Sequence, residues 1–171
     1  MEFRLEFTPK EFEVKINHSH HLFLAGSCFT EQIGAKLSAH KFRILDNPHG
    51  ILFNPISISN AISSYIQNKR YEESELFYHN ELWGSWDHHT RFSSIRKEEC
   101  LQKINDSQEM AHTFLKNADW LILTLGSSFA YKIENDRVVA NCHKVPTDKF
   151  RKRLLSAKEV TNYLNSLIKI R

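Results

Sequence analysis

Two short runs, Gly26-Ser27-Cys28 and Gly126-Ser127-Ser128, each follow an apolar stretch and place a hydroxyl directly after a glycine. In an open parallel sheet, ligands bind outside the carboxyl ends of the strands, which is where both runs would fall. A hydroxyl at a strand-to-helix turn sits at the helix N-terminus, where free amides and the helix dipole favour developing negative charge. Ser27 there suits nucleophilic attack on a carbonyl, because the resulting oxyanion needs such donors. The plainer alternative is that Ser27 only caps the helix, serine being a preferred residue at that position. Cys28 competes for the nucleophile's part, since a helix N-terminus activates a thiol, although cysteine is equally at home as a small buried apolar residue.

A serine hydroxyl without a paired base is a weak nucleophile, so the histidines matter. His88-His89 follows Asp87, and His143 follows Asn141-Cys142. Adjacent residues of an extended chain point to opposite faces, so at most one of His88 and His89 can face a given site. Each is equally readable as a hydrogen-bonded structural histidine. His18-x-His20-His21, His88-His89 and Cys142-His143 lack the paired spacings of zinc modules, and neither a metal nor a cofactor is expected. Lys149, Arg151, Lys152 and Arg153 read as a solvated turn before the last helix rather than a phosphate patch.

The elements that must position these groups follow from periodicity. His21 to Ala25 is a continuous apolar run of the kind a strand buried on both faces shows. Phe29, Ile33 and Leu37, with Ala35 nearby, predict a helix over about 28–40, and Phe42 to Leu45 a second strand, closing a βαβ unit. Asn54-Pro55 is a strong helix start before Ile58, Ala61, Ile62, Tyr65 and Ile66. Residues 71–94 read as irregular and aromatic. A long amphipathic helix over about 95–117 leads into Trp120 to Leu125, the clearest buried strand by sequence. Alternation over Phe129, Tyr131, Ile133 and over Val138, Ala140 predicts a hairpin. Ser156-x-x-Glu159 is a capping box for a last helix running to Arg171 without a stop signal. Phe3, Leu5, Phe7 and then Phe12, Val14, Ile16 alternate as two extended edge segments. The expected fold is α/β, a doubly wound and mostly parallel sheet, with an extended N-terminal segment over 1–20 and an α/β core over 21–171.

Composition sets the frame. At 171 residues the chain holds one domain, and 41% hydrophobic with 25% charged residues is a globular balance. A net charge of +3 is far from the basic stripe of a nucleic-acid binder, so no nucleic-acid partner is expected. No apolar run approaches membrane-span length and the N-terminus lacks a signal-peptide layout, so no membrane partner is expected either. Cys28, Cys100 and Cys142, odd in number and widely spaced, suit free thiols in a reducing, cytoplasmic setting.

Beyond these readings, Leu24-Ala25-Gly26-Ser27-Cys28-Phe29-Thr30-Glu31 resembles the signature of the GSCFA domain family, with Thr30 where the family name has Ala. Asn47-Pro48-His49-Gly50-Ile51-Leu52-Phe53-Asn54-Pro55-Ile56-Ser57, Trp86-Asp87-His88-His89-Thr90-Arg91-Phe92-Ser93-Ser94 and Ala140-Asn141-Cys142-His143-Lys144-Val145-Pro146 resemble its later blocks, in order and over nearly the whole chain. The resemblance implies an SGNH (GDSL-like) hydrolase relationship and a three-layer α/β/α sandwich. It implies Ser27 as nucleophile, and Gly50, Gly126 and Ser128 at the oxyanion hole. Ser128 stands where the superfamily has an asparagine, and a hydroxyl reaches less far.

The superfamily's closing Asp and His have no match here. The resemblance therefore implies a domain incomplete at its C-terminus, with little or no esterase activity of its own and a tendency to associate through an open sheet edge. It also draws Asn141 and His143 toward the site. Trp86, His88 and Arg91 are expected to form a substrate wall for a small-molecule or carbohydrate ester, an acylated sugar for example. The competing expectation is a non-catalytic ligand-binding or interaction module on the same fold.

Overall fold

The computed structural model describes residues 7–8 and 10–168. Strand β1 (His21–Gly26), helix α1 (Cys28–Ala39) and strand β2 (Arg43–Asp46) form the expected βαβ unit, with β1 and β2 parallel. Helix α2 (Pro55–Ile66) follows, then the hairpin β3 (Leu76–His79) and β4 (Leu82–Ser85). Helix α3 (Lys97–Lys116) leads into β5 (Trp120–Thr124), which pairs parallel to β1 on the side opposite β2. Strands β6 (Phe129–Lys132), β7 (Val138–Val139) and β8 (Arg151–Leu154) make a small antiparallel sheet, and α4 (Ala157–Ile168) ends the described chain. The fold is thus mixed α/β: a parallel sheet in the order β2-β1-β5 with two small antiparallel sheets beside it. The broad expectation of an α/β fold holds, and the antiparallel share is larger than expected.

Burial explains the centre of the sheet. Leu22, Phe23, Leu24 and Ala25 are all within 2% of full burial, so β1 buries both sets of alternating side chains. Phe23 and Ala25 join Leu52, Ile58, Ala61, Ile62, Tyr65, Ala111 and Leu167 in the main core. A twelve-residue helix is marginal alone, so α2 depends on this packing. It starts as its sequence demands: Asn54 caps it, accepting from the Ser57 amide at 2.9 Å, with Pro55 in the first turn. The capping box at α4 is present too, with the Ser156 amide donating to Glu159 at 2.9 Å and the Glu159 amide to Ser156 Oγ at 3.3 Å.

Several local expectations are corrected. Of the expected α1 stripe, Ile33 and Leu37 are partly buried but Phe29 is not. Phe29 is 59% exposed and Ala35 is exposed, while Thr30 and Gly34 are buried, because the helix lies close on the sheet with Gly34 against the Asp46 carboxylate. Strand β5 is only partly buried, since nothing among the described residues pairs with its outer edge. Residues 71–94 hold the β3–β4 hairpin, and the basic run 151–154 is strand β8 rather than a turn. Phe12, Val14 and Ile16 are exposed and belong to no strand, having no neighbour to pair with. Phe3, Leu5 and the last three residues of the predicted terminal helix lie outside the described residues.

Candidate active site

Strands β1 and β5 meet in register at their carboxyl ends, with Gly26 opposite Thr124. Gly26 has φ +143°, and a Cβ there would stand 2.1 Å from the Thr124 carbonyl oxygen. Only glycine permits that approach. It lets the Ser27 amide donate to both oxygens of Thr124, the carbonyl and Oγ1, each at 3.0 Å.

Ser27 occupies the N-cap position of α1, yet its side chain makes no capping hydrogen bond. Its Oγ lies 3.0 Å from Thr124 Oγ1, which in turn lies 2.5 Å from Thr30 Oγ1. The plain capping reading is therefore corrected: the hydroxyl is held sideways by a relay of hydroxyls and is 7% exposed. Among the described residues no histidine or carboxylate bonds to Ser27 Oγ. Cys28, next to it, is exposed, so the buried-thiol alternative does not apply.

The loop after β2 clamps this turn. Asn47, at φ +44° and 1% exposed, accepts from the Gly26 amide at 2.8 Å and reaches the Ser27 carbonyl at 3.4 Å. The Leu52 amide donates to the Gly26 carbonyl at 2.8 Å. Gly126 closes the far side, since a Cβ on it would meet Phe53 at 2.6 Å and the Ser27 Cβ at 3.1 Å. Gly26-Ser27, Asn47, Leu52, Phe53 and Gly126 are therefore brought together.

The amides expected as oxyanion donors are engaged elsewhere. The Gly50 amide donates to the Asn47 carbonyl at 2.7 Å, and the Gly126 and Ser127 amides both donate to the Phe53 carbonyl at 3.0 Å. The Ser27 amide is likewise committed to Thr124. Ser128 is exposed, with its carbonyl accepting from the Leu155 amide at 2.9 Å, and no helix follows it. The Cys28 and Phe29 amides, in the first turn of α1, have no partner among the described residues. That is the usual state of leading helix amides.

Gly50 (φ +81°) lies beneath His89 and Arg91, whose Cβ and Nε would stand 2.2 and 3.3 Å from an added Cβ. Arg91 donates to Glu31 on α1 at 2.9 Å and to the Asn47 carbonyl. His89 is half-buried, and burial, then Arg91, holds its imidazole below the usual range, against the opposing pull of Glu31.

His88, in the bend between β4 and the Thr90–Phe92 turn, takes the opposite direction and is 1% exposed. It stacks on His49 with ring centroids 3.9 Å apart, and its Nδ1 lies 3.0 Å from Ser85 Oγ. Its Nε2 is buried without a partner among the described residues. His49 is held between Tyr65 (2.6 Å) and Tyr71 (3.1 Å). Burial drives the His49 pKa down to about 3 and that of His88 well below the usual range, so both rings are neutral.

The substrate wall expected from Trp86, His88 and Arg91 is thus not assembled. His88 is inside, stacked on His49, and Trp86 stacks face-to-face on Phe77 at 3.8 Å; of the three, Arg91 is the one exposed beside the Gly50 loop. Asn141 and His143 also serve elsewhere. Asn141 Oδ1 accepts from the His143 amide at 2.8 Å, and His143 Nε2 bonds the Ser85 carbonyl at 2.8 Å, tying the segment after β7 to the β3–β4 hairpin. Among the described residues, no three His, Cys, Asp or Glu side chains converge as a metal site would need. None of the described helices is long and apolar enough to cross a membrane.

The GSCFA family model matches residues 21–170. The chain belongs to the GSCFA family. No curated protein and no solved structure matches it. In this GSCFA domain the four recognisable blocks have distinct structural duties. The first forms the β1–α1 turn, and the second clamps it through Asn47. The third sends His88 inward and His89 and Arg91 to the rim. The fourth secures the third, with the Ala140 amide donating to the Trp86 carbonyl at 2.7 Å. Thr124 escaped the sequence reading because its only signal was one hydroxyl in an otherwise apolar strand. Its role depends on a register that the sequence does not display.

Proposed function

We propose that this GSCFA domain is a three-layer α/β/α, SGNH-like serine hydrolase or acyl-transfer domain in which Ser27 is the nucleophile. The observation that carries this reading is the Ser27 hydroxyl, set at the carboxyl end of β1 and the N-terminus of α1 and not used for capping. An oxyanion formed on an acyl group at Ser27 would be met by the Cys28 and Phe29 amides and by the positive end of α1. These replace the donors expected from Gly50 and Gly126, whose amides are occupied. Asn47 and Thr124 are positioning residues that fix the turn.

With an activated ester, Ser27 Oγ would bond the acyl carbon as p-nitrophenolate leaves and the hydroxyl proton passes to water. That step is easier than hydrolysis of the resulting serine ester, whose leaving group is a poor alkoxide. Removing triad members still leaves roughly 10³–10⁴-fold catalysis over water from oxyanion stabilisation and binding. With p-nitrophenyl acetate, the chain should release a burst of p-nitrophenol no larger than one equivalent, followed by a rate near background. Ser27→Ala should abolish the burst, and Cys28→Ala should retain it. A burst that survives Ser27→Ala would remove Ser27 from the mechanism.

The second reading, a non-catalytic ligand-binding module, is favoured by one observation: Ser27 Oγ bonds to Thr124 rather than to a base. It predicts no burst at all.

A further inference from the structure

Helix α2 is unusual on the side facing away from the sheet. Its apolar stripe (Ile58, Ala61, Ile62, Tyr65) packs in the core, while Ser57, Asn60, Ser64 and Gln67 form a second stripe at helical spacing. In that polar stripe Ser57 and Ser64 are buried, and Asn60 and Gln67 are exposed. With Ser63 the stripe lines a cavity of about 630 Å³, within the range of roughly 300–1,000 Å³ typical of small-molecule sites.

The other walls define what could fill the cavity. Lys69 pairs with Glu75 at 2.6 Å, and Arg137 with Asp87 at 2.9 Å. Each charge in the lining is therefore already matched, and neither an anion nor a cation is called for. Tyr163 supplies aromatic surface, and Ile56 and Val138 apolar surface, while Tyr71 is 3% exposed with Lys69 Nζ 4.1 Å over its ring. The side chains of Asn60, Ser63 and Gln67 have no partner among the described residues. Amides and hydroxyls that both donate and accept, next to an aromatic face and neutralised ion pairs, match a ring with hydroxyls on its edge and C–H groups on its faces.

We infer that this cavity, between α2, the β7 segment and α4, is a binding site for a neutral mono- or disaccharide, separate from the Ser27 turn. Ser27 does not line it, and the inference does not depend on Ser27 being a nucleophile. His49 lines the cavity while its carbonyl accepts from the His89 amide at 2.8 Å, so the two sites share one loop.

The test is a ¹H–¹⁵N NMR titration of the whole chain with N-acetylglucosamine, cellobiose and, as a zwitterionic contrast, glycine betaine. A sugar should shift the amides of Ser63, Gln67 and Ala140 saturably at millimolar concentration, and betaine should not. Ser63→Trp, which fills the cavity, should weaken the sugar's affinity about tenfold or more. Asn60→Leu, at an exposed position that leaves the fold intact, should weaken it several-fold. Absence of shifts from both sugars, shifts centred on the Ser27 turn, shifts from betaine alone, or affinity unchanged in the folded Asn60→Leu protein would each overturn the inference.

Discussion

Gly26→Ala is expected to destabilise the protein by about 3 kcal/mol or more, a large part of the roughly 5–15 kcal/mol that holds a domain together. Two effects combine. Gly26 has φ +143°, which L side chains rarely adopt, and the new methyl would stand 2.1 Å from the Thr124 carbonyl oxygen and 2.7 Å from its Oγ1. Neither neighbour can yield cheaply. The carbonyl belongs to β5 and accepts the Ser27 amide, and Thr124 Oγ1 holds both Ser27 and Thr30. Relief requires β1 and β5 to part at their carboxyl ends, which also carries Ser27 away from Thr124. Urea unfolding should show a lowered midpoint with little change in slope. A loss under about 1 kcal/mol would mean that the strand ends are not as close as described.

Acid should unfold the protein early, and the buried histidine pair is the reason. His49 is fully buried with its pKa lowered to about 3, first by burial and then by Lys69 and Arg91. His88 is lowered by burial and then by His49, Lys69 and His143. An unfolded histidine titrates near 6.5, so between that value and the folded pKa the unfolded chain binds more protons, and stability falls as pH falls. The contribution is complete above pH 6.5. For His49 alone it declines by about 2.7 kcal/mol on going to pH 4.5, and His88 acts in the same direction.

Carboxylates do not account for this window. Glu99 and Glu159 are held down to about 2 by Arg96 with Ser94 and by Ser156 with Arg153 respectively. Their contribution is present above about 4.5 and is lost only as pH falls toward 2. Unfolding free energy measured in urea from pH 7.5 to 4.5 should therefore drop steeply below 6.5. A flat profile over that interval would show that His49 and His88 are not buried as a neutral stack.

What was legible in the sequence and what was not has physical causes. Strand β1 and helix α2 announce themselves through a continuous apolar run and an Asn-Pro start, because burial and capping are local demands on composition. The β3–β4 hairpin did not, since its two-residue turn is Asn80-Glu81, both at positive φ, and glutamate does not mark a turn as glycine would. Strand β8 was hidden by its charges. All four of its residues are exposed, and basic residues on an exposed strand look like a solvated loop until its partner β6 is known.

The β1–α1 turn that carries Ser27 was readable from the apolar run and the helical stripe on either side of it, but the split between His88 and His89 comes from a bend after β4 and not from the strand alternation expected of them. Which of the two faced outward was not readable, because it depends on the pocket formed by His49, Tyr71 and Ser85. That the amides of Gly50 and Gly126 are already bonded was hidden for a similar reason. Glycine marks where a backbone can come close, and here the amides of Gly50 and Gly126 already serve their own loops.

Site-resolved mass spectrometry after treatment with a fluorophosphonate shows which residue is the nucleophile. One phosphonyl adduct per chain is expected on the peptide containing Ser27, absent in Ser27→Ala and retained in Cys28→Ala. An adduct on another residue, or none on the folded protein at saturating probe, would contradict Ser27 as the nucleophile.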